Sequence, residues 1–339
     1  MATIGTTMPT LVDIAKEMDP DGKPAHIIPI LAQVNPILED APFYEGNLPE
    51  GHQVSVDSSL PSGSVSQYNQ GTASTKGTAA QFVEQAAMFD IWSKVDARIP
   101  RKFGEGANAW RVRNGRRFIE GLSQTVATAM VYGNPASVAG EFRGLATRCN
   151  DLDGVNASNV IDCGGASTDN ASILLVGYGP DQVFGFYPKG SEAGLRHEDH
   201  GKQVWQNAPT ATASSGGNLA VEMDQWFWDL GWVVADWQFL VRACNIDVSN
   251  LRAMSGSEAD LSDIMMQMQE CLPHTNGVRP VFYMPRAVRT ALRRQRRADV
   301  KAGGQLDFDV VDGKRIDYFD GIPIKTLDVM TLAEAEVTT

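Results

Sequence analysis

The apolar positions of the chain change period along its length, and each change predicts an element. Within residues 105–132, Phe118, Leu122, Val126 and Met130 recur every four residues, with Ile119 and Ala129 beside them. That is the spacing of one helix face. At 1.5 Å per residue the helix is roughly 42 Å long, and Gly133-Asn134-Pro135 ends it. Residues 138–149 read as a second, short helix, and residues 151–169 as turns. The β-rich runs 172–176 and 182–187 bracket Gly177-Tyr178-Gly179-Pro180-Asp181, the pattern of a hairpin. Residues 218–224 and 232–247 predict longer strands, joined through a cluster with four of the seven tryptophans: Trp226, Trp228, Trp232 and Trp237. Indoles bury large areas in cores and interfaces alike, and a core role is expected for at least half of these. Residues 261–268 form an amphipathic helix and 281–284 a short buried strand. Pro285 opens an arginine-rich helix over 287–297, and 301–304 is a loop. Residues 316–319 and 322–324 close a compact α/β unit ahead of a polar tail.

Two stretches lack a core of their own. Thr10 can cap a helix over 11–17, with Asp13 three residues on, before Pro20, Gly22 and Pro24 stop it. Residues 28–33 are apolar, and Asn35-Pro36 has the form of a cap followed by proline at the first helical position. Pieces this short must lie on something else, in the same subunit or a neighbour. Between residues 45 and 80, Gly, Ser, Thr and Gln dominate, and two alternating runs, Val54-Ser55-Val56 and Val65-Ser66-Gln67-Tyr68, flank a polar tip. This is the pattern of a long two-stranded excursion. An isolated ribbon is only marginally stable in water, so it is mobile in the free subunit or held by a partner; the bland reading is a loop without order.

Charge changes the picture. The 339 residues carry a formal charge of −12, and 43% are hydrophobic, enough for a folded core. The length fits about two domains. Residues 98–117 hold seven bases (Arg98, Arg101, Lys102, Arg111, Arg113, Arg116, Arg117) and one acid, Glu105. Residues 286–297 hold six arginines (Arg286, Arg289, Arg293, Arg294, Arg296, Arg297) and no acid. Each stretch is net +6, so the remainder carries −24. Basic stripes on an acidic body suit contacts between copies, because complementary patches fix register and reject wrong pairings. The alternatives are solvated helix faces or contact with a polyanion. Arg111, Arg113, Arg116, Arg117, Arg293, Arg294, Arg296 and Arg297 are the subunit-contact candidates. The first four lie in the first half of the long helix, where cations oppose its dipole. The overall acidity argues against a general nucleic-acid binder.

Convincing catalytic chemistry is absent from the motifs. GxxxxGK[ST], HExxH, GxSxG and EF-hand patterns do not occur. Gly177-x-Gly179 lacks a third glycine and leads into a strand, against a dinucleotide fold. His197-Glu198-Asp199-His200 is the one candidate metal cluster; the glycines at 190, 194 and 201 place it in a surface loop. No cofactor is implied. The four cysteines, Cys149, Cys163, Cys244 and Cys271, have no zinc spacing and read as reduced thiols. No stretch reaches the ~20 apolar residues of a membrane span, and the first residues lack the basic and apolar parts of a secretory signal.

Three segments carry a resemblance: Ile30-Leu31-Ala32-Gln33-Val34-Asn35-Pro36-Ile37-Leu38-Glu39-Asp40 with Glu45-Gly46-Asn47-Leu48; residues 179–190, Gly-Pro-Asp-Gln-Val-Phe-Gly-Phe-Tyr-Pro-Lys-Gly; and Val281-Phe282-Tyr283-Met284-Pro285-Arg286 ahead of a basic helix. In this order and spacing they resemble the major capsid proteins of short-tailed bacteriophages, over nearly the whole chain. The resemblance implies an α+β Hong Kong 97-type fold. Residues 1–44 would be an N-terminal arm and 45–90 the E-loop. Residues 91–249 would be the peripheral domain, with a spine helix near 105–132 and long strands near 172–247. Residues 250–326 would be the axial domain and 327–339 a C-terminal segment. In the common version of the fold the long peripheral strands follow the axial domain, so the connectivity here is expected to be rearranged. The implied function is structural, not enzymatic. Subunits assemble in the host cytoplasm into hexamers and pentamers of an icosahedral procapsid and virion shell around double-stranded DNA, with portal, scaffold and cement or decoration proteins as partners and no membrane. Some members weld neighbours through an E-loop lysine; Lys76 is the one lysine between Lys23 and Lys94, but no partner asparagine with its acid is identifiable. The alternatives are an encapsulin-like cargo shell of the same fold, and a soluble α+β metal-dependent enzyme using His197 and His200.

Overall fold

The structure is a computed structural model that describes residues 33–98, 107–208, 216–254, 256, 258–299, 307–311 and 314–338. The described elements in chain order are α1 (Ile37–Asp40), β1 (Phe43–Glu45), β2 (Gly51–Ser59), β3 (Thr78–Asp96), α2 (Ala107–Tyr132), α3 (Leu145–Arg148), β4 (Val160–Asp162), β5 (Asn170–Tyr178), β6 (Val183–Tyr187), β7 (Arg196–Ala208), β8 (Gly217–Val234), β9 (Leu240–Asp247), α4 (Val248–Ala253), α5 (Leu261–Glu270), β10 (Arg279–Met284), α6 (Arg286–Asp299), β11 (Asp307–Val311), β12 (Lys314–Phe319) and β13 (Ile322–Thr326). They form two compact units. One contains Met88–Val126 and Gly194–Asp229; the other contains Val34–Ala87, Ala127–Ala193 and Leu230–Thr339. The strands β3 and β8 and the helix α2 each run through both.

The larger unit is built on β5. All nine of its residues are buried, as expected of a strand covered on both faces. It pairs antiparallel with β9 along one side and with β10 along the other. β10 continues to β13 in parallel, and β13 to β12 and β11 in antiparallel. Residues 177–181 do not close a hairpin. Both sides of β5 are already taken by longer ladders, so β6 meets it at one parallel bridge, Tyr178 with Val183. β6 instead pairs antiparallel with the end of β8 and parallel with β1. Gly231 lies opposite Phe186 in that ladder, where a Cβ would come within 2.2 Å of the ring.

The long helix is found where the four-residue spacing puts it, with Leu122, Val126 and Met130 buried. On α5, Leu261, Ile264, Met265 and Met268 are buried, and the Asp260 side chain caps it by accepting from the N–H groups of Ser262 and Asp263. On α6, Val288, Ala291 and Leu292 make a buried stripe under the arginines. Of the tryptophan cluster, Trp226 and Trp232 are buried and Trp237 is exposed.

Several expectations are corrected. Pro36 is the cap of α1 and not its first helical residue. Within 138–149 only Leu145–Arg148 is helical, after turns that Gly140 enters at φ +90°. The strands expected at 218–224 and 232–247 are β8 and β9, broken where Asp236 caps a 3-10 turn at Trp237–Phe239. The return strand of the ribbon starts at Thr78, not at Val65. β11 was not expected. The final segment is no free tail: Leu327, Met330, Glu334 and Val337 are all buried. The helix expected at 11–17 and the loop at 301–304 lie outside the described residues.

Candidate assembly surface

The ribbon is formed by β2 and the first part of β3, in register from Gly51 with Gln85 to Asp57 with Ala79. Opposed residues share a face, so His52, Val54 and Val56 lie on the side of Glu84, Phe82 and Ala80. This face borders an open cleft of about 1220 Å3. At the root, the His52 ring packs edge-on to Phe184 at 5.5 Å and tilted to Phe186 at 5.6 Å. Burial there pulls its pKa below the usual histidine value. Asn47 pins the root: its amide NH2 donates to the Gln53 carbonyl at 2.8 Å and its oxygen accepts the Gln53 N–H at 2.7 Å. Arg148 ties β3 to the body through Glu84 at 2.6 Å and the Trp232 carbonyl at 3.2 Å. Beyond the paired part, residues 60–77 are exposed throughout. Leu60, Val65 and Tyr68 there are 80%, 99% and 100% exposed.

The arginine stripes turn inward to a large extent. Arg111 donates to Asp224 at 2.6 Å and to Asp199 at 2.5 Å, and these carboxylates raise its pKa. This answers the adverse dipole: the acids come from β7 and β8. Arg113 is half-buried, while Arg116 and Arg117 are exposed. On α6, Arg289 (2.7 Å) and Arg293 converge on one oxygen of the buried Asp317, and Arg294 donates to the Arg252 carbonyl at 3.0 Å. Arg286 grips Asp328 through two bonds. The side chains of Arg296 and Arg297 lie outside the described residues. So Arg111 and Arg293 are engaged within their own subunit, and Arg117, although exposed, is not free of partners either.

The histidine cluster lies on strand β7, not on a loop. His197 bonds Asp224 at 3.1 Å and stacks on Trp226; His200 bonds Gln225 at 3.0 Å and stacks on Trp92. The bulge at Asp199 and Gly201 separates their environments. Among the described residues no group of three His, Cys, Asp or Glu side chains has metal-holding geometry. The four cysteines are free. Burial pushes the Cys149 and Cys244 thiols up to about 11 and Cys163 up to about 12, which suppresses the reactive thiolate.

A family model described as "Major capsid protein GP7" matches residues 19–338. The chain belongs to that family. This capsid protein is also similar to a chain in the near-atomic structure of bacteriophage epsilon15, with 27% identity, a TM-score of 0.77 and full coverage of both chains. The bacteriophage JBD30 capsid chain matches at 10% identity and TM-score 0.46, over 95% of this chain and 99% of that one. The SrpI encapsulin of Synechococcus elongatus matches at 11% and 0.40, over 66% and 93%. No curated protein matches. The capsid protein thus has the α+β Hong Kong 97-type fold, is a structural component of a phage virion that self-assembles into the capsid lattice, and is not an enzyme. The encapsulin-like reading is the weaker one.

Sequence reasoning found the ribbon and the stripes. It missed Asp224, Asp317 and Asn47, the acids and amide that fix them, and Glu334, which holds Arg242 and the end of the chain. Isolated acids give no periodic signal.

Proposed function

We propose that residues 45–90 act as the E-loop that grips a neighbouring subunit in hexamers and pentamers of an icosahedral shell around double-stranded DNA. Residues 1–44 would serve as the arm, 91–249 as the peripheral domain, 250–326 as the axial domain and 327–339 as a C-terminal segment. Assembly takes place in the host cytoplasm with portal, scaffold and cement or decoration proteins. The observation that supports this is the ribbon tip: three large side chains, Leu60, Val65 and Tyr68, stand almost wholly in solvent on a segment with no core. Single exposed apolar residues are ordinary, but three on one projecting tip leave it adhesive. Arg116, exposed on α2, is the member of the arginine set that would set register between copies. Many such weak contacts give a stable closed shell by multivalency while each stays reversible.

The test is negative-stain microscopy of the expressed subunit, with scaffold co-expressed, beside the variant Val65→Asp/Tyr68→Asp. The variant is expected to keep its melting temperature and yield no closed shells. Normal shells from it would refute the role of the tip.

A further inference from the structure

The sequence contains two Asn-Gly pairs, Asn114-Gly115 and Asn276-Gly277, and the fold treats them in opposite ways. Asn-Gly is the dipeptide in which a side-chain amide is most easily attacked by the next backbone nitrogen, since glycine offers no Cβ to obstruct the approach. Asn114 and Gly115 lie inside α2, where the ladder holds the Gly115 amide. The Asn114 side chain donates to Ser93 Oγ at 3.3 Å. Gly115 is also buried, with the Trp226 ring 3.0 Å from where its Cβ would be.

Asn276 and Gly277 are exposed, in the loop between α5 and β10. They are the central residues of a four-residue turn closed by a single long bond, Val278 N–H to the Thr275 carbonyl at 3.4 Å. Gly277 has φ +76°, with open space around it. Among the described residues nothing bonds the Asn276 side chain, and no backbone carbonyl accepts the Gly277 N–H. One weak bond therefore opposes the peptide rotation that brings the Gly277 nitrogen onto the Asn276 amide carbon. A shell subunit is not replaced once built, so slow chemistry at such a turn accumulates.

We propose that Asn276 is a site of spontaneous deamidation, a built-in ageing mark of the shell. The Gly277 nitrogen, deprotonated by hydroxide, forms a bond to the Asn276 side-chain carbon and ammonia leaves. The resulting succinimide takes up one water and opens at either carbonyl, giving aspartate or isoaspartate. No oxidant or reductant enters. Each event adds a negative charge to an already acidic subunit.

The test keeps purified folded protein at mildly alkaline pH and 37 °C beside a portion held cold. Peptide mapping then reads the exchange of NH2 for OH at each asparagine, and isoaspartyl methyltransferase counts isoaspartate. Asn276 should convert at least about tenfold faster than Asn114, because even 1.4 kcal/mol of local opening free energy withholds the helical amide by that factor. The rate should rise with pH, and Asn276→Gln should remove most of the isoaspartate signal without changing the melting temperature. Equal conversion at both asparagines, or an intact Asn276 when a free peptide spanning 272–280 has fully reacted, would overturn the proposal.

Discussion

Removing the Glu334 carboxylate tests how the end of the chain is fixed. Glu334 accepts from Arg242 Nη2 at 2.9 Å, from the Tyr132 hydroxyl at 2.5 Å and from the Ser172 hydroxyl. The Arg242 and Glu334 side chains are only 4% and 6% exposed. Arg242 spends its other donors on Ser172 Oγ, the Ala146 and Cys149 carbonyls and Asn150 Oδ1. Burial, then the Glu334 charge, pushes the Tyr132 hydroxyl far above its usual pKa, so it remains a donor. Glu334→Ala leaves the guanidinium buried without its anion, which costs about 3–5 kcal/mol, a large part of a typical domain's 5–15 kcal/mol. Arg242→Met leaves the opposite charge unpaired and also orphans two carbonyls, at about 1–3 kcal/mol each. The double variant Arg242→Met/Glu334→Leu removes both charges and should be more stable than Arg242→Met alone. Urea unfolding of the unassembled subunit, read by intrinsic tryptophan fluorescence, measures all three. A loss below about 1 kcal/mol for Glu334→Ala, the value of a surface pair, would refute the reasoning, as would a double variant less stable than Arg242→Met.

Two further outcomes follow from the same geometry. At Asp317, burial pushes the carboxyl up, but the hydrogen bonds from Arg289 and Arg293 outweigh it and hold the pKa below the usual 3.8. A depressed folded pKa gives stability that is full above the unfolded value and lost as pH falls through the folded one. The acid midpoint of unfolding should therefore move to higher pH in Asp317→Asn, which lacks this contribution at every pH; an unchanged acid profile would show the pair to be idle. At the ribbon root, Asn47→Ala removes both the acceptor of the Gln53 N–H and the donor to the Gln53 carbonyl, so hydrogen exchange at the Gln53 amide should speed up about tenfold for each 1.4 kcal/mol of hold lost, and equal exchange in both forms would show that Asn47 pins nothing.

What was legible in the sequence was whatever repeats. The long helix α2 is visible because Leu122, Val126 and Met130 share one face, and β10 because Val281-Phe282-Tyr283-Met284 is continuous and apolar. The ribbon was legible from composition, but its far strand was misplaced: Val65 and Tyr68 alternate like a strand, yet nothing opposite them offers a ladder, and both stand in solvent. The hairpin failed for the converse reason, since the pattern of β5 and β6 says nothing of the competing partners β9 and β10. The arginine stripes stand out in the sequence, but their partners within the subunit do not, because Asp224 is 113 positions from Arg111 and Asp317 is 24 from Arg293. The final segment reads as a polar tail because the three donors of Glu334 lie 92 to 202 residues away.

The internal pairing changes how cohesion between copies is understood. Each of Arg111, Arg148, Arg196, Arg242, Arg286 and Lys325 meets a carboxylate inside its own subunit. Pairs of this kind consume the two signs about equally, so they do not reduce the net −12. Copies of this chain therefore repel at long range, and only within the screening distance of about 8 Å at physiological ionic strength does attraction have to exceed that repulsion. Short-range apolar burial fits the requirement. Covering a side chain such as Leu60 or Val65 contributes about 1.5–3 kcal/mol, so on the proposed reading one ribbon tip would supply several kcal/mol, before the cost of ordering it. That would be too little to trap a misplaced subunit and, repeated around a closed lattice, enough to hold a correct one. On the proposed reading the exposed Arg116 would then act on register more than on strength.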